Sequence, residues 1–162
     1  MDMKNLIEIP FGLTGKIYRS PMPYGAFDIG MTTIEEMKKV GITKVVALVE
    51  EFEWWQHANI DLPQLYKRNQ ISMLHFPVVD FGAPLELKPY LELVQEVYAL
   101  GIAGETIAVH CFAGIGRTGT FLAALACTVY GWQPLDAVYW VRKFIPNAVE
   151  HETQLSFLQL NF

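Results

Sequence analysis

The chain has 162 residues, of which 52% are hydrophobic and 18% charged, which indicates one folded domain spanning residues 1–162 and excludes a disordered chain. Its formal net charge of −5 argues against a broad basic surface for nucleic acid or an anionic membrane. Two cysteines are too few for a disulfide framework, and four scattered histidines lack zinc-ligand spacing, so no metal site is predicted. The first ten residues are too polar and too short for a signal peptide.

The early part of the chain is rich in proline and glycine, which indicates turns. Residues 15–20 nevertheless favour an edge strand, because Pro21 and Pro23 end the run and proline is tolerated only at the borders of a sheet. Two residues here, Arg19 and Tyr24, are interpreted as solvated loop positions, with contacts at the rim of a binding site as the alternative.

Residues 32–49 are typical of a helix followed by a buried strand. Thr32 or Thr33 caps the helix and Gly41 ends it. Glutamates occupy its first turn and lysines its last, an order that complements the helix dipole. The β-branched run at residues 44–49 predicts a central strand of a parallel sheet.

Two tryptophans, Trp54 and Trp55, follow this strand within an acidic segment at residues 50–57. In open α/β sheets the carboxyl ends of the strands border the ligand crevice, so either indole is a candidate wall for a ligand pocket. An equally good interpretation is a hydrophobic patch that covers the edge of the sheet.

The middle of the chain continues the alternation of helices and strands. A short helix is predicted over residues 62–69 and a strand over residues 71–79, with His75 as an ordinary strand histidine. Asp80 follows that strand directly and begins a loop that contains glycine and proline. An amphipathic helix is predicted over residues 86–100.

The last elements are a buried strand over residues 106–109, an apolar helix over 121–130 and a helix over 134–144. Arg117 and several glycines interrupt the long apolar stretch, which argues against a membrane span. Cys127 lies in the apolar helix and is interpreted as a core residue. The alternation predicts an α/β fold, with a central, mainly parallel sheet flanked by helices on both faces.

The turn between the buried strand and the apolar helix carries the candidate chemistry. Its backbone N–H groups and the helix dipole form an anion site, and the same field favours the thiolate form of Cys111, which is the nucleophilic form. The planar fork of Arg117 suits bidentate binding of a phosphate. Gly114 and Gly116 let the backbone approach an oxyanion closely. With the hydroxyl of Thr118 placed to stabilise the sulfur, we predict attack by sulfur on a phosphate monoester.

The order His110-Cys111, five residues and Arg117-Thr118 resembles the signature of the cysteine-dependent protein tyrosine phosphatases, especially their small atypical dual-specificity members. The resemblance implies that the loop backbone binds the phosphate together with Arg117. The loop residues concerned are Phe112, Ala113, Gly114, Ile115 and Gly116. It also implies that His110 braces this loop through hydrogen bonds and does not act as a base.

Hydrolysis of a phosphate ester needs an acid that protonates the leaving oxygen and afterwards acts as a base on water. Family members carry this acid as an aspartate on a loop after a sheet strand, and Asp80 with Pro84 resembles that pattern. Asp61 and Glu86 are rivals, although neither follows directly on a β-branched strand. Gln154 resembles the family glutamine that helps to place the hydrolytic water, with a solvated helix glutamine as the alternative.

The scarcity of basic residues in and around the loop limits the classes of substrate that it could bind. Between Lys88 and Arg142 the only lysine or arginine is Arg117, whereas relatives that act on inositol lipids place lysines inside the loop. Extra phosphates would lose hydration here without gaining a partner. We therefore predict a single phosphoryl group on a protein side chain, with phosphotyrosine preferred over phosphoserine or phosphothreonine.

The sequence thus predicts a metal-independent and cofactor-free phosphatase that works through a cysteinyl-phosphate intermediate. Its predicted partner is a phosphorylated protein or peptide, with no nucleic acid and no membrane, and we expect a monomer in the reducing cytoplasm. One alternative is a phosphatase of a non-protein monoester such as a nucleotide, an RNA 5′ end or an inositol phosphate. Another is a module that binds phosphoproteins without turnover, against which the intact Cys111, Arg117 and Asp80 argue.

Overall fold

The computed structural model describes residues 2–162, whose strands form a single five-stranded sheet. The strands are β1 (Ile7–Ile9), β2 (Ile17–Ser20), β3 (Lys44–Ala47), β4 (Ser72–His75) and β5 (Ile107–His110). Their order across the sheet is β1-β2-β5-β3-β4, with β1 antiparallel to β2 and the other pairs parallel. The predicted α/β fold with a mainly parallel sheet is therefore confirmed.

The described residues contain seven α-helices and a short 3-10 helix at Ile29–Met31. The α-helices are α1 (Thr33–Val40), α2 (Glu51–Ala58), α3 (Leu62–Arg68), α4 (Leu87–Ile102), α5 (Gly116–Tyr130), α6 (Pro134–Arg142) and α7 (Glu152–Asn161). Four of the predicted helices agree with α1, α3, α4 and α6 to within about two residues at each end, as expected for helix boundaries. Helix α5 begins five residues before its predicted start, directly within the candidate anion-binding turn.

The prediction that residues 15–20 form an edge strand was wrong, because β2 lies inside the sheet. Strand β1 pairs with it on one side, with Ile7 opposite Arg19, and β5 pairs with it on the other. Only three residues long and ended by Pro10, β1 shows no recognisable period in the sequence. The edge position therefore belongs to β1, in a segment for which the sequence predicted no strand.

Strand β4 is shorter than the predicted run of residues 71–79. Pro77 has no N–H to donate, so the regular ladder ends at His75. The chain stays extended beside β3 and its continuation, since Phe76 N donates to Ala47 O (3.0 Å) and Val78 N donates to Leu48 O (3.0 Å). This extension carries the chain to Asp80 at the carboxyl edge of the parallel strands.

Two hydrophobic clusters fill the two faces of the sheet. On one face, Val46, Leu48 and Val109 pack among residues of α4 to α7, including Tyr90 and Phe121, which are almost completely buried. Burial of side chains of this size stabilises the fold by about 1.5–3 kcal/mol each. Alternation along the strands sends their remaining residues to the other face, where α1, α2 and α3 pack.

Trp54 belongs to the second cluster and is only 3% exposed. Its indole meets the ring of His75 edge-on, with 5.2 Å between the ring centroids. Trp55 points outward from α2 and is 45% exposed. Of the two interpretations of these tryptophans, Trp54 therefore fits hydrophobic packing against the sheet.

Candidate active site

Residues 111–115, here called the cysteine loop, connect β5 to α5 at the centre of the sheet. Since β5 lies between β2 and β3, the loop leaves the carboxyl end of the middle strand, where α/β proteins bind ligands. Cys111 at its start is 3% exposed. Gly114 has a φ of 78°, and a Cβ there would overlap Ser20 O and the Arg19 guanidinium, so the position requires glycine.

Every carbonyl oxygen of the cysteine loop accepts a hydrogen bond from a donor outside the loop, at 2.8–3.0 Å. The donors are His110 Nδ1 to Cys111 O, Met22 N to Phe112 O, Arg19 Nη2 to Ala113 O, Arg19 Nε to Gly114 O and Gly119 N to Ile115 O. In a trans peptide the N–H points opposite to the C=O. The N–H groups of residues 112–116 therefore point to the opposite side, and within residues 2–162 none of them has an acceptor.

The side chain of His110 contacts the first residue of the cysteine loop. It is fully buried, and burial lowers its pKa to about 4, so the ring is neutral at pH 7. Its Nδ1 lies 2.9 Å from Cys111 O and must carry the proton, which leaves Nε2 to accept from the Tyr66 hydroxyl at 2.6 Å. The histidine therefore links α3 to the loop, as the proposed bracing role requires.

Arg117 lies at the first turn of α5 and is 2% exposed. Its Nη1 and Nη2 each donate to one carboxylate oxygen of Glu53 at 2.8 Å, and Nη1 also donates to Val78 O at 2.8 Å. Burial disfavours the charge, but the hydrogen bonds of Glu53 and the negative charges of Cys111, Glu53 and Asp80 raise the pKa of Arg117. The guanidinium is thus permanently charged and fixed in orientation.

Two buried donors of the site are left over in this arrangement. In the part of the chain that the structure describes, neither Arg117 Nε nor Thr118 Oγ1 has a hydrogen-bond partner. A buried donor without a partner costs about 1–3 kcal/mol, so such groups point to a ligand that would satisfy them. Together with the N–H groups of the cysteine loop, they are suited to an anion with several oxygens.

Asp80 approaches the arginine from the loop after β4. Its Oδ1 lies 3.3 Å from Arg117 Nη2, while the side chain is 46% exposed. The following residue, Phe81, has a φ of 62° and donates its N–H to Asp80 Oδ1 at 3.0 Å. The rivals Asp61 and Glu86 instead precede helices, where Asp61 accepts from Gln64 N and caps α3.

Gln154 is completely buried at the start of α7. Its Oε1 accepts from His151 N at 3.3 Å, and its Nε2 donates to Gly82 O at 3.4 Å on the Asp80 loop. The alternative of a solvated glutamine is therefore wrong, because the side chain links α7 to the loop that carries Asp80.

The sequence analysis did not single out Glu53 or Glu150, and its interpretation of Arg19 as a solvated loop position is wrong, because Arg19 lies in β2 and contacts the cysteine loop. Glu53 pairs with Arg117, and Arg19 holds two loop carbonyls. Glu150 lies against Gly116, where a Cβ would overlap its carboxylate. Burial and the charge of Asp80 raise the pKa of Glu150, against the opposing effect of Arg117 and His151. The available signals were a charge inside an apolar strand for Arg19 and an acid after a central strand for Glu53.

Residues 2–162 contain no group of three or more His, Cys, Asp or Glu side chains arranged to hold a metal ion. Within the same residues, no helix is both long and apolar enough to cross a membrane.

A family model for a DSP-PTPase phosphatase of polymorphic toxin systems matches residues 24–129. Human protein tyrosine phosphatase type IVA 3 is 33% identical over 131 residues, which cover 79% of this chain and 69% of that protein. Other curated relatives are much longer, and the match to human receptor-type tyrosine-protein phosphatase epsilon spans only 14% of its length, at 34% identity over 54% of this chain.

Among solved structures, kinase associated phosphatase with its catalytic-site cysteine replaced by serine superposes with a TM-score of 0.85, covering 98% of this chain and 94% of that one at 18% identity. PTPMT1 in complex with PI(5)P superposes with a TM-score of 0.77 at 22% identity, covering 97% and 94%. At these identities the two structures establish the fold alone. With the family match over residues 24–129, the chain belongs to the cysteine-dependent protein tyrosine phosphatase superfamily, as a small atypical dual-specificity member.

Proposed function

We propose that the chain hydrolyses phosphate monoesters on proteins, with phosphotyrosine preferred, through a cysteinyl-phosphate intermediate and without a metal ion. The observation that carries this proposal is the set of inward N–H groups and the two unpartnered donors, Arg117 Nε and Thr118 Oγ1, beside the buried Cys111. A phosphoryl group has the charge and the several oxygens that such a set of donors would satisfy.

In the proposed first step, the Cys111 thiolate attacks phosphorus and the bond from phosphorus to the ester oxygen breaks. The leaving oxygen takes the proton of the Asp80 carboxyl, so a neutral alcohol or phenol departs. Asp80 lies 3.3 Å from the guanidinium that would bind the phosphate.

In the second step, water loses a proton to the Asp80 carboxylate and its oxygen attacks phosphorus. The bond from phosphorus to sulfur breaks, and the electron pair returns to Cys111 as a thiolate. The Thr118 hydroxyl donates to that thiolate, and Gln154 holds the Asp80 loop through Gly82 O. The fixed donors supply most of the acceleration, because they are already oriented before charge develops.

The rim of the loop supports an aromatic phosphoester. Phe112 packs edge-on against Phe27, with 5.5 Å between the ring centroids, and lies 5.0 Å from the ring of His57. These rings would flank a phenyl ester bound at the loop. The acids Glu150 and Asp80 would repel substrates that carry further phosphates.

The proposal includes the partner and the setting. We propose a phosphorylated protein or peptide as substrate, a monomeric enzyme, and a reducing compartment such as the cytoplasm. The support for the last point is chemical, since both Cys111 and Cys127 are free thiols and an active cysteine must stay reduced.

The test measures hydrolysis of a phosphotyrosine peptide, a phosphoserine peptide and PI(5)P in the presence of a chelator. We expect turnover of the phosphotyrosine peptide by the wild type and none by Cys111→Ser. Cys127→Ser is the matched control, because it removes the other buried thiol, which lies in α5 away from the loop. Its activity should equal that of the wild type.

Two results would contradict the proposal. Binding of phosphopeptide without turnover by the wild type would favour a phosphoprotein-binding module. Turnover of PI(5)P alone would favour a phosphatase of non-protein monoesters, the second candidate, for which a neighbouring fold has been solved with that lipid.

A further inference from the structure

Arg19 contacts the cysteine loop from the side opposite to its inward N–H groups. From β2, its Nη2 donates to Ala113 O at 2.8 Å and its Nε donates to Gly114 O at 3.0 Å. Its Nη1 donates to Asn5 O at 3.1 Å, so each of its three guanidinium nitrogens donates to a backbone carbonyl.

The two carbonyls that Arg19 holds belong to the peptide groups on either side of Gly114. Because C=O and N–H point in opposite directions in a trans peptide, fixing these carbonyls also fixes the N–H groups of Gly114 and Ile115. Gly114 has a φ of 78° and, as a glycine, it is the residue of the loop with the most accessible backbone conformations. Arg19 therefore fixes the cysteine loop at Gly114, where its backbone has the greatest conformational freedom.

The charge of Arg19 is compensated in an unusual way. Within the described residues it forms no ion pair with a carboxylate, and its partners are neutral carbonyls. Burial lowers the pKa of Arg19, and the negative charge of Cys111 opposes that shift. A partly desolvated cation that lacks an acid partner is costly, so its position behind the loop calls for a role in the site. A charged donor on a carbonyl also polarises the peptide and strengthens its N–H as a donor.

We propose that Arg19 is a positioning residue for the proposed phosphatase reaction. It holds the N–H groups of Gly114 and Ile115 toward the phosphoryl oxygens without touching the substrate. This inference rests on the proposed function only in that the cysteine loop binds a tetrahedral oxyanion.

The test compares Arg19→Met and Arg19→Lys with the wild type, using tungstate as a tetrahedral oxyanion probe. For Arg19→Met we expect tungstate affinity to fall by at least about tenfold, since loss of a single oxyanion donor costs more than that in other enzymes. Arg19→Lys should retain part of the affinity, because it keeps the charge but not the planar fork that spans two carbonyls.

Two controls separate positioning from charge and from stability. Lys16→Met removes a positive charge from the exposed border of β2, and its tungstate affinity should equal that of the wild type. Met37→Ala makes a cavity in the hydrophobic cluster in which α1, α2 and α3 pack against the sheet. This variant should unfold more easily and yet bind tungstate as tightly as the wild type. Amide NMR gives a direct readout: tungstate should shift the Gly114 and Ile115 signals in the wild type and not in Arg19→Met.

Unchanged tungstate affinity in folded Arg19→Met would overturn the inference. Should that variant fail to fold, unchanged affinity in Arg19→Lys would do the same. An equal loss of tungstate affinity in Met37→Ala would also contradict the inference, because a general loss of stability would then explain the weaker binding. Absence of tungstate binding by the wild type itself would instead remove the proposed function, and with it the basis of this inference.

Discussion

Glu53 determines how Arg117 presents its remaining donors. Its two carboxylate oxygens occupy both terminal nitrogens of the guanidinium at 2.8 Å, and both side chains are almost completely buried. Buried ion pairs add little net stability, because desolvation offsets the attraction. The bidentate geometry nevertheless fixes the plane of the guanidinium, which leaves Nε as the donor available to a ligand.

Replacing Glu53 by Gln should harm both stability and catalysis. The amide keeps the shape but leaves the Arg117 charge without its buried counter-ion, and breaking such pairs costs about 3–5 kcal/mol. We expect the free energy of unfolding, measured in urea, to decrease by an amount close to that range. We also expect kcat/KM to fall by at least about tenfold. Glu51→Gln, on the exposed side of the first turn of α2, is the matched control. Normal stability and activity in Glu53→Gln would show that the pair is dispensable.

His110 should make the fold sensitive to mild acid. Its folded-state pKa of about 4 lies below the value of about 6.5 in an unfolded chain, so the unfolded chain binds more protons between these values. Stability is therefore fully present above about pH 6.5 and is lost as the pH falls toward 4, by about 3 kcal/mol from this residue. Urea unfolding of the wild type and His110→Asn at several pH values would isolate this loss. Identical pH dependence in both proteins would refute it.

The number of residues that separate two site residues along the chain explains which of them could be identified from the sequence. Cys111, Arg117 and Thr118 lie within eight consecutive residues of one turn, and their spacing alone indicates the chemistry. The roles assigned to them and to Asp80 stay predictions until they are tested. Arg19 contacts Gly114, 95 positions away along the chain, and Glu53 contacts Arg117, 64 positions away. Only the order of the strands brings such residues together, so a local pattern could not reveal them.

Helix α5 presents its first two turns to the segment before α7, at residues 146–150. Gly119 lies so close to Ala148 that a Cβ would approach the Ala148 Cβ to 2.6 Å. Arg142 holds this segment from α6, with Nε donating to Ala148 O at 2.9 Å and Nη2 donating to Val149 O at 3.0 Å. Val149 has a φ of 56°, which costs a β-branched residue about 1–3 kcal/mol, so the packing around it must compensate.

Two glycine-to-alanine substitutions in helices should therefore have opposite effects. Gly119→Ala gains helix propensity of about 1 kcal/mol, but its Cβ meets backbone atoms at 2.9 Å, and overpacking of this kind costs about 1–3 kcal/mol or more. In α4, Gly101→Ala meets only the end of the flexible Leu13 side chain. Thermal unfolding should show a lower Tm for Gly119→Ala and an equal or higher Tm for Gly101→Ala. A higher Tm for Gly119→Ala would mean that the backbone of residues 146–150 can move to accommodate the added Cβ at little cost.

The elements that the sequence did not predict are those in which tertiary context outweighs local pattern. The acidic and aromatic segment at residues 50–57 forms α2, whose start is fixed by a capping box between Glu50 and Glu53. That box was visible only as two glutamates three positions apart. Strand β1 is too short to show a period, and Pro77 shortens β4 within a mostly apolar run.

At the scale of the whole molecule, the net charge of −5 and the acids around the cysteine loop oppose the approach of anionic substrates. Because salt screens this repulsion, kcat/KM for an acidic phosphotyrosine peptide should rise between low and physiological ionic strength. For a basic peptide of equal length it should fall, and a neutral peptide serves as the reference. The same salt response for all three peptides would show that the charge of the surface does not steer substrates.

The position of Trp54 has an optical consequence. Its indole is buried beside His75 on the same helix as Glu53, whereas Trp132 and Trp140 contact one another, with ring centroids 5.6 Å apart. A chain that keeps only this indole would emit fluorescence from the helix that holds the Arg117 guanidinium. Emission from that single fluorophore would follow movements of α2 in real time, without a chromogenic substrate and without a label.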